Sequence, residues 1–312
     1  MVDSQEQVPV ALFAYNRPEH TMRTLSALAA TPEAAATDLI VFCDGPGSDQ
    51  ELVNVNAVRD VVRAQSGFKS VQIHSRDENV GLARSITEGI SRVLSEHPSV
   101  IVMEDDIVCT PGFLSYMNHA LSKYQKDAEV WHVSGWNYPD VPKLGSDDAF
   151  FWHGMNCWGW GTWADRWAHF ERDPHALVDR FTKQDIERFN VENTHNFWSQ
   201  VQANASGKIR TWAVFWYATI FQNNGLCLNP VVSHTTNIGF DGTGLHCGPL
   251  DFYASATQPP NRDLVLPEDI AASAQYRSEI RNFYQNRYPP KWKRAYYRLQ
   301  DAAQRQIRRV FG

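Results

Sequence analysis

Glu104-Asp105-Asp106 directly follows the apolar run Val100–Met103. Three consecutive carboxylates at the end of a buried strand repel one another, and a cation relieves that repulsion. Hard ions such as Mn2+ or Mg2+ take carboxylate oxygens and commonly share a substrate diphosphate. A solvated acidic turn is the plainer reading of the triplet alone, and its position at a strand's carboxyl end favours the cation. A second cluster, Trp158-Gly159-Trp160-Gly161-Thr162-Trp163, places glycines between indoles. Such spacing permits close backbone approach and lets rings stack on a flat partner such as a sugar face. Trp158 and Trp160 are the pocket candidates, whereas Trp163 and Trp167 read equally as core. His234 and His246 lie in the polar, glycine-rich segment Ser233–Gly248. A lone histidine there is usually a hydrogen-bonded structural residue, which is the reading for His234.

The elements that must position these residues alternate along the first hundred positions. Val8–Tyr15, Leu39–Cys43, Val71–His74 and Val100–Met103 read as strands. Helical spacing fills the intervals, from Pro18 to about Ala30, over Val53–Arg63 and over Gly81–Leu94. Strands separated by helices imply an α/β fold whose mostly parallel sheet is flanked by helices on both faces. Ligands of such sheets bind beyond the carboxyl ends of the strands. The segments at Asn16, Asp44, Asp77–Asn79 and Glu104–Asp106 are therefore expected to converge on one cleft. Further along, Val130–Ser134 reads as a strand, roughly 173–205 as a polar helical segment, and Trp212–Gln222 as an apolar helix.

A chain of 312 residues with 43% hydrophobic and 12% aromatic content is not a disordered one. A net charge of −6 argues against a general nucleic-acid binder, which needs clustered positive charge. The five cysteines (Cys43, Cys109, Cys157, Cys227 and Cys247) form no CxxC pair, so free thiols in a reducing compartment are expected. Met1–Gln7 lacks the plan of a signal peptide, and the longest apolar run, Ala213–Ile220, is too short to span a bilayer. These features predict a cytoplasmic protein with at most peripheral membrane contact, on the inner face. From Lys291 the character changes: Trp292, Tyr296, Leu299, Ala303, Ile307 and Val310 form one helical stripe among seven basic residues and one Asp. That tail reads either as a helix packed on the body or as a contact for an anionic membrane surface. Vesicle binding that survives loss of residues 291–312 would refute the second.

Val102-Met103-Glu104-Asp105-Asp106-Ile107, followed by Thr110-Pro111-Gly112-Phe113, resembles the metal-binding segment of inverting GT-A glycosyltransferases. It is especially similar to N-acetylglucosaminyltransferase I and to bacterial family-2-like enzymes. Phe13-Ala14-Tyr15-Asn16-Arg17-Pro18 looks like the first strand and nucleotide loop of that family, and Arg76–Arg84 its third-strand segment. The likeness extends to Asn237-Ile238-Gly239-Phe240 and His246, covering about residues 8–250. It implies a Rossmann-like nucleotide-diphospho-sugar transferase fold, with a catalytic domain over 1–262 and a helical basic tail over 263–312. Within that domain, about 8–106 would bind nucleotide and about 107–262 the acceptor. It implies Asp106 as the main metal ligand, with His246 completing the metal shell or touching the diphosphate. Glu104 and Asp105 would address donor sugar and ribose, with Asn16, Arg17, Asp44, Asn79, Arg84, Trp158 and Trp160 also at the donor. Read from the residues alone, Arg84 serves as well in a helix-surface ion pair. Asp44 serves as well as a turn residue, and Asn79 and Gly81 as shapers of a loop.

An inverting transferase needs a carboxylate that deprotonates the acceptor hydroxyl. In similar proteins an Asp follows a Trp at the start of an aromatic helix. Here that segment reads Arg210-Thr211-Trp212-Ala213-Val214-Phe215-Trp216, with Ala213 at the expected base. The catalytic positions are then Ala213, as the place of the base, and Asp105. Either Ala213 is an engineered Asp→Ala change, or another base serves, with Asp241, Asp165 and Asp173 available. The expected function is metal-dependent, inverting sugar transfer from a nucleotide donor to a hydroxyl of a glycan or lipid-linked glycan. The rivals are a sugar nucleotidyltransferase and a non-catalytic nucleotide-sugar or glycan-binding module. The first lacks its Gly-rich triphosphate loop, and Ala213 keeps the second open.

Overall fold

The computed structural model describes residues 7–241 and 264–287. The basic stripe expected over 292–310, and His246, lie outside the described residues.

The first half alternates as expected: strand β1 (Val10–Ala14), helix α1 (Pro18–Ala29), β2 (Asp38–Cys43), α2 (Leu52–Arg63), β3 (Ser70–Ser75), α3 (Leu82–Leu94) and β4 (Ser99–Glu104). There follow β5 (Ile107–Cys109), α4 (Phe113–Lys123), β6 (Val130–Ser134), β7 (Ala149–Trp152) and β8 (Trp160–Trp163). Short helices α5 (Ala164–Trp167), α6 (Pro174–Arg180), α7 (Lys183–Phe189) and α8 (Trp198–Ala205) come next. Last are α9 (Ala213–Gln222), β9 (Leu226–Pro230), β10 (Thr235–Asn237) and α10 (Ala274–Arg287).

Eight strands form one sheet in the order β3-β2-β1-β4-β8-β6-β9-β7, and β10 pairs with β5 in a small second sheet. In the large sheet β8 pairs antiparallel with both β4 and β6, and β7 antiparallel with β9, while its other pairs are parallel; β10 and β5 are antiparallel. The sheet is mostly parallel and covered by helices, as the sequence predicts. β1 explains why: Val10, Leu12 and Ala14 face Leu25, Leu28, Val58 and Val62 of α1 and α2. Ala11 and Phe13 face Ile86 and Ile90 of α3. A strand buried on both faces reads as an uninterrupted apolar run. Gly89 lets α3 close down on it, since a Cβ there would lie 2.5 Å from the Phe13 ring.

One expectation needs correction. The segment expected as one helical stretch over 173–205 is three helices, and polar residues cap the starts of the first two. Asp173 accepts from the His175 and Ala176 amides at the start of α6, and Thr182 and Asp185 form a capping box for α7. Val191, Glu192 and Asn193 then turn left-handed, at φ 50°, 51° and 60°. Residues 264–287, which the sequence places in the helical tail, pack on the body. The Asp148 amide donates to Val265 O (2.8 Å) and the Ser273 amide to Phe151 O (2.8 Å). Tyr276, Ile280, Phe283 and Tyr284 of α10 join Trp136, Tyr138, Phe150 and Trp152 in one apolar cluster. That segment covers β7, which would otherwise be an open sheet edge.

Two buried histidines tie stability to pH. His132 on β6 has no exposed surface. Its Nδ1 accepts from Trp216 Nε1 at 3.2 Å. An indole N–H only donates, so the imidazole proton sits on Nε2, which donates to Asn156 O at 3.0 Å. Burial pushes the His132 pKa down to about 3, and that of His234, stacked on Tyr116, down to about 4. Below pH 6.5 the unfolded chain takes up protons that these buried rings refuse, so stability falls as pH drops through that window. Between pH 6.5 and 5 the His132 contribution amounts to about 2 kcal/mol. His132→Gln should reduce the loss of urea stability between those pH values by that amount. An unchanged pH slope in the variant would contradict the assignment.

Candidate functional site

β1 sits between β2 and β4. The chain leaves β1 through α1 towards β2 on one side and returns through α3 to β4 on the other. This is the topological switch point where α/β sheets leave a crevice for ligands. The register sets Phe13 opposite Glu104, so Tyr15-Asn16-Arg17 emerges beside Asp105-Asp106.

Arg17 is the centre of that crevice. Its Nη2 bonds Asp105 Oδ1 and lies 3.0 Å from Asp106 Oδ2. Further bonds hold the Asp105 carboxylate and the backbone of both aspartates in turn. The Tyr15 amide donates to Asp105 Oδ2 (3.4 Å), Thr24 Oγ1 to Asp105 O (2.8 Å), and the Ile238 amide to Asp106 O (2.8 Å). Gly239 closes the other side: a Cβ at this position would collide with Asp106 Oδ2 and come within 3.2 Å of Arg17 Nη1. Asp105 and Asp106 are both buried. Burial, then Asp106 and Asp105, push Glu104 up to about 8. Burial pushes Asp105 up to about 6, against the pull of Arg17. Burial disfavours the Arg17 charge, but Asp105 and Asp106 outweigh it and raise its pKa. With Glu104 pushed towards its neutral form, Asp105 and Asp106 against one guanidinium still leave the crevice short of positive charge.

Among the described residues, no three His, Cys, Asp or Glu side chains are arranged to hold a metal ion by themselves. The donor set nevertheless fits a hard divalent cation of one kind. Mg2+ bound for phosphate chemistry takes one or two protein carboxylates and completes its shell with substrate oxygens and water. Asp105 and Asp106 supply two such carboxylates, both desolvated.

The other predicted donor residues divide into three groups. Asn16, Asp44 and Asn79 come together on the rim, where they bind protein rather than open space. Asp44 accepts from the amides of Gly45 (3.0 Å), Val80 (3.1 Å) and Gly81 (3.0 Å), and Asn79 Nδ2 donates to Gly45 O (3.0 Å). These bonds staple the loop after β2 to the loop after β3. Asn16 Nδ2 donates to Glu51 Oε1 (2.8 Å). Tyr15 OH donates to Glu51 Oε2 (2.7 Å) and accepts from the Gly47 amide (3.0 Å). Glu51, absent from the sequence-based candidates, is thus the anchor of this rim. Arg84 stands apart: it is exposed on α3, with its Nε 2.6 Å from Glu88, which also takes Arg76 Nη2 at 2.6 Å.

The aromatic candidates separate. Trp158 is half-buried and stands edge-on to Trp136 (4.8 Å) and Phe240 (5.7 Å), and Phe240 follows the Gly239 that abuts Asp106. Trp160 is a correction. It has no exposed surface and stacks between His132 (5.0 Å) and Trp212 (5.5 Å). Nor does Gly161 open the backbone to a ligand. A Cβ there would lie 2.9 Å from Leu121 and 3.0 Å from Met117, so the glycine admits α4 onto the sheet.

Ala213 is the first residue of α9, half-buried against the cluster containing Trp160, Trp212 and Trp216. Of the alternative bases, Asp165 is held by Arg166 Nη1 at 2.8 and 2.7 Å, and Asp173 caps α6. Asp241 ends the turn Gly239–Asp241, with its side chain outside the described residues. His234 is buried, 3.3 Å from Thr110 Oγ1, in the structural role expected of it.

Among solved structures, the fold is similar to TarS of S. aureus at 9% identity and a TM-score of 0.42, covering 74% of this chain and 37% of that one. This chain thus spans little more than a third of the TarS chain. It is also similar, at 10% identity and a TM-score of 0.37, to the mannosyltransferase PcManGT from Pyrobaculum calidifontis, a structure in complex with GDP-Man and Mn2+. That likeness covers 70% of this chain and 69% of the other. The sequence itself carries the assignment: residues 1–171, more than half of the chain, match the GNT-I family, and the chain belongs to that family.

Proposed function

We propose that the chain is an inverting glycosyltransferase, moving a sugar from a nucleotide-sugar donor to a hydroxyl of a glycan or lipid-linked glycan. The observation that carries this reading is the charge-deficient crevice of Glu104, Asp105, Asp106 and Arg17 at the switch point of the sheet. Family membership supports the donor class. A bound Mn2+ or Mg2+ would stabilise the negative charge of the departing nucleotide diphosphate. Asp106, with Asp105 beside it, would hold the cation. Arg17 supplies fixed positive charge that needs no reorganisation during transfer. Asp44 and Asn79 shape the loop pair that receives the nucleotide, and Trp158 offers a ring edge to the sugar. Arg84 can reach the donor only by leaving Glu88. Residues 291–312 would bring basic charge to an anionic membrane carrying the acceptor.

Ala213 favours a second reading, a module that binds the donor without transferring it. Calorimetry with a panel of nucleotide sugars, with and without Mn2+, tests both. One donor should bind, and Mn2+ should tighten it at least tenfold. Binding of none would end both readings. Binding with no turnover, even in the Ala213→Asp protein, would leave the module alone.

A further inference from the structure

The linker Tyr15-Asn16-Arg17 between β1 and α1 has little local structure to hold it. Arg17 is the N-cap of α1 and makes no side-chain capping bond. Yet this linker supplies two groups that hold the Asp105 carboxylate, the Tyr15 amide and Arg17 Nη2. A shift of the linker therefore moves both donors at once.

Glu51 fixes the linker from its other side. It ends the turn Asp49–Glu51 and is the N-cap of α2. A side-chain oxygen at an N-cap commonly accepts from amides of its own helix, but Glu51 makes no such bond. Both of its oxygens turn back towards β1 and β2. Oε2 accepts from Tyr15 OH (2.7 Å) and from the Gly47 amide (3.2 Å), and Oε1 accepts from Asn16 Nδ2 (2.8 Å). Burial, then the bond to Glu51, raise the pKa of Tyr15, so the phenol keeps the proton that it donates. Tyr15 is thus held at both ends, its phenol by Glu51 and its amide by Asp105. One residue joins the rim to the acidic crevice.

We propose that Glu51 is a positioning residue for the nucleotide of the donor. Acting through Tyr15, it keeps the linker in the arrangement in which Arg17 and Asp105 meet the diphosphate. The inference rests on the glycosyltransferase reading. Three protein donors engage the Glu51 oxygens, so its contribution runs through those bonds and not through contact with the donor. When they are lost the linker takes up other arrangements, and affinity falls with the fraction of molecules that stay competent.

Calorimetry on the full chain with UDP, GDP, ADP, CDP and dTDP, each with millimolar Mn2+, tests this on whichever binds best. Glu51→Ala should weaken binding about tenfold, as for a linker that is competent about one tenth of the time. Glu51→Gln should stay within about threefold of the parent. Its Oε1 can accept from Tyr15 and Gly47, and its Nε2 can donate to Asn16 Oδ1 once that amide turns over. Tyr15→Phe should weaken binding about threefold or more. The double variant with Glu51→Ala should be no more than about twofold weaker than Glu51→Ala alone, because both changes cut one link. Unchanged affinity in Glu51→Ala overturns the proposal. So does an equal loss in Glu51→Gln, or a double variant whose loss is the product of the two single losses. Should Glu51→Ala fail to fold, unchanged affinity in Tyr15→Phe is sufficient refutation. Failure of the parent to bind any of the five is a different result, and it removes the glycosyltransferase reading together with this one.

Discussion

Ala213→Asp should raise the rate of sugar transfer by about 10²–10⁴-fold, the usual contribution of a general base, while donor affinity stays within about twofold. The fold has room for the change. Position 213 opens α9, and its N-cap, Trp212, makes no side-chain hydrogen bond to the free amides of the first turn. A carboxylate there gains ~0.3–1 kcal/mol from the helix dipole. Ala213 is only half-buried, so the new side chain is not forced among the indoles of Trp160, Trp212 and Trp216. The gain should fall on kcat and leave the donor KM nearly steady, because the base acts on the acceptor hydroxyl in the transition state. Unchanged turnover in a folded Ala213→Asp protein would remove position 213 from the mechanism.

Arg17→Met should destabilise the cation-free protein by about 3–5 kcal/mol, the cost of stranding a buried charge by deleting its partner. Both carboxylates are buried, and the Tyr15 amide holds that of Asp105. Methionine keeps most of the volume, so packing loss is a minor part. Urea unfolding of the two proteins without divalent ions measures the difference. Millimolar Mn2+ should stabilise the methionine variant more than the parent, because the freed carboxylates gain a partner. A loss below about 1 kcal/mol would mean that the carboxylates are already neutral or solvated.

The nucleotide half was legible because its signals are local. Val10–Ala14 and Leu39–Cys43 are continuous apolar runs, and Pro18 marks the start of α1. The acidic triplet was legible for the same reason, being three adjacent residues at the end of such a run. Partnerships across long separations were not. Glu51 is 35 residues from Asn16, and no spacing rule connects them. The Trp-Gly alternation misled because glycine between aromatics has two uses. In β8 the period of two sends Trp160 to one face of the sheet and Gly161 to the other, where a helix needed the room. The folding of residues 264–287 onto β7 escaped notice because its anchors, such as the stacked pair Phe150 and Tyr276, are far apart in the chain.

β8 has a consequence for cooperativity. It contributes only four residues, yet it is the seam between β4 and β6. The βαβ half therefore has no free edge on that side, and neither has the half built on β6 and β9. Detaching β8 would uncover unpaired backbone on both at once, along edges buried under indoles. Neither half can open as an independent foldon, and the acidic crevice at the end of β4 has the same resistance to local unfolding as the centre of the sheet.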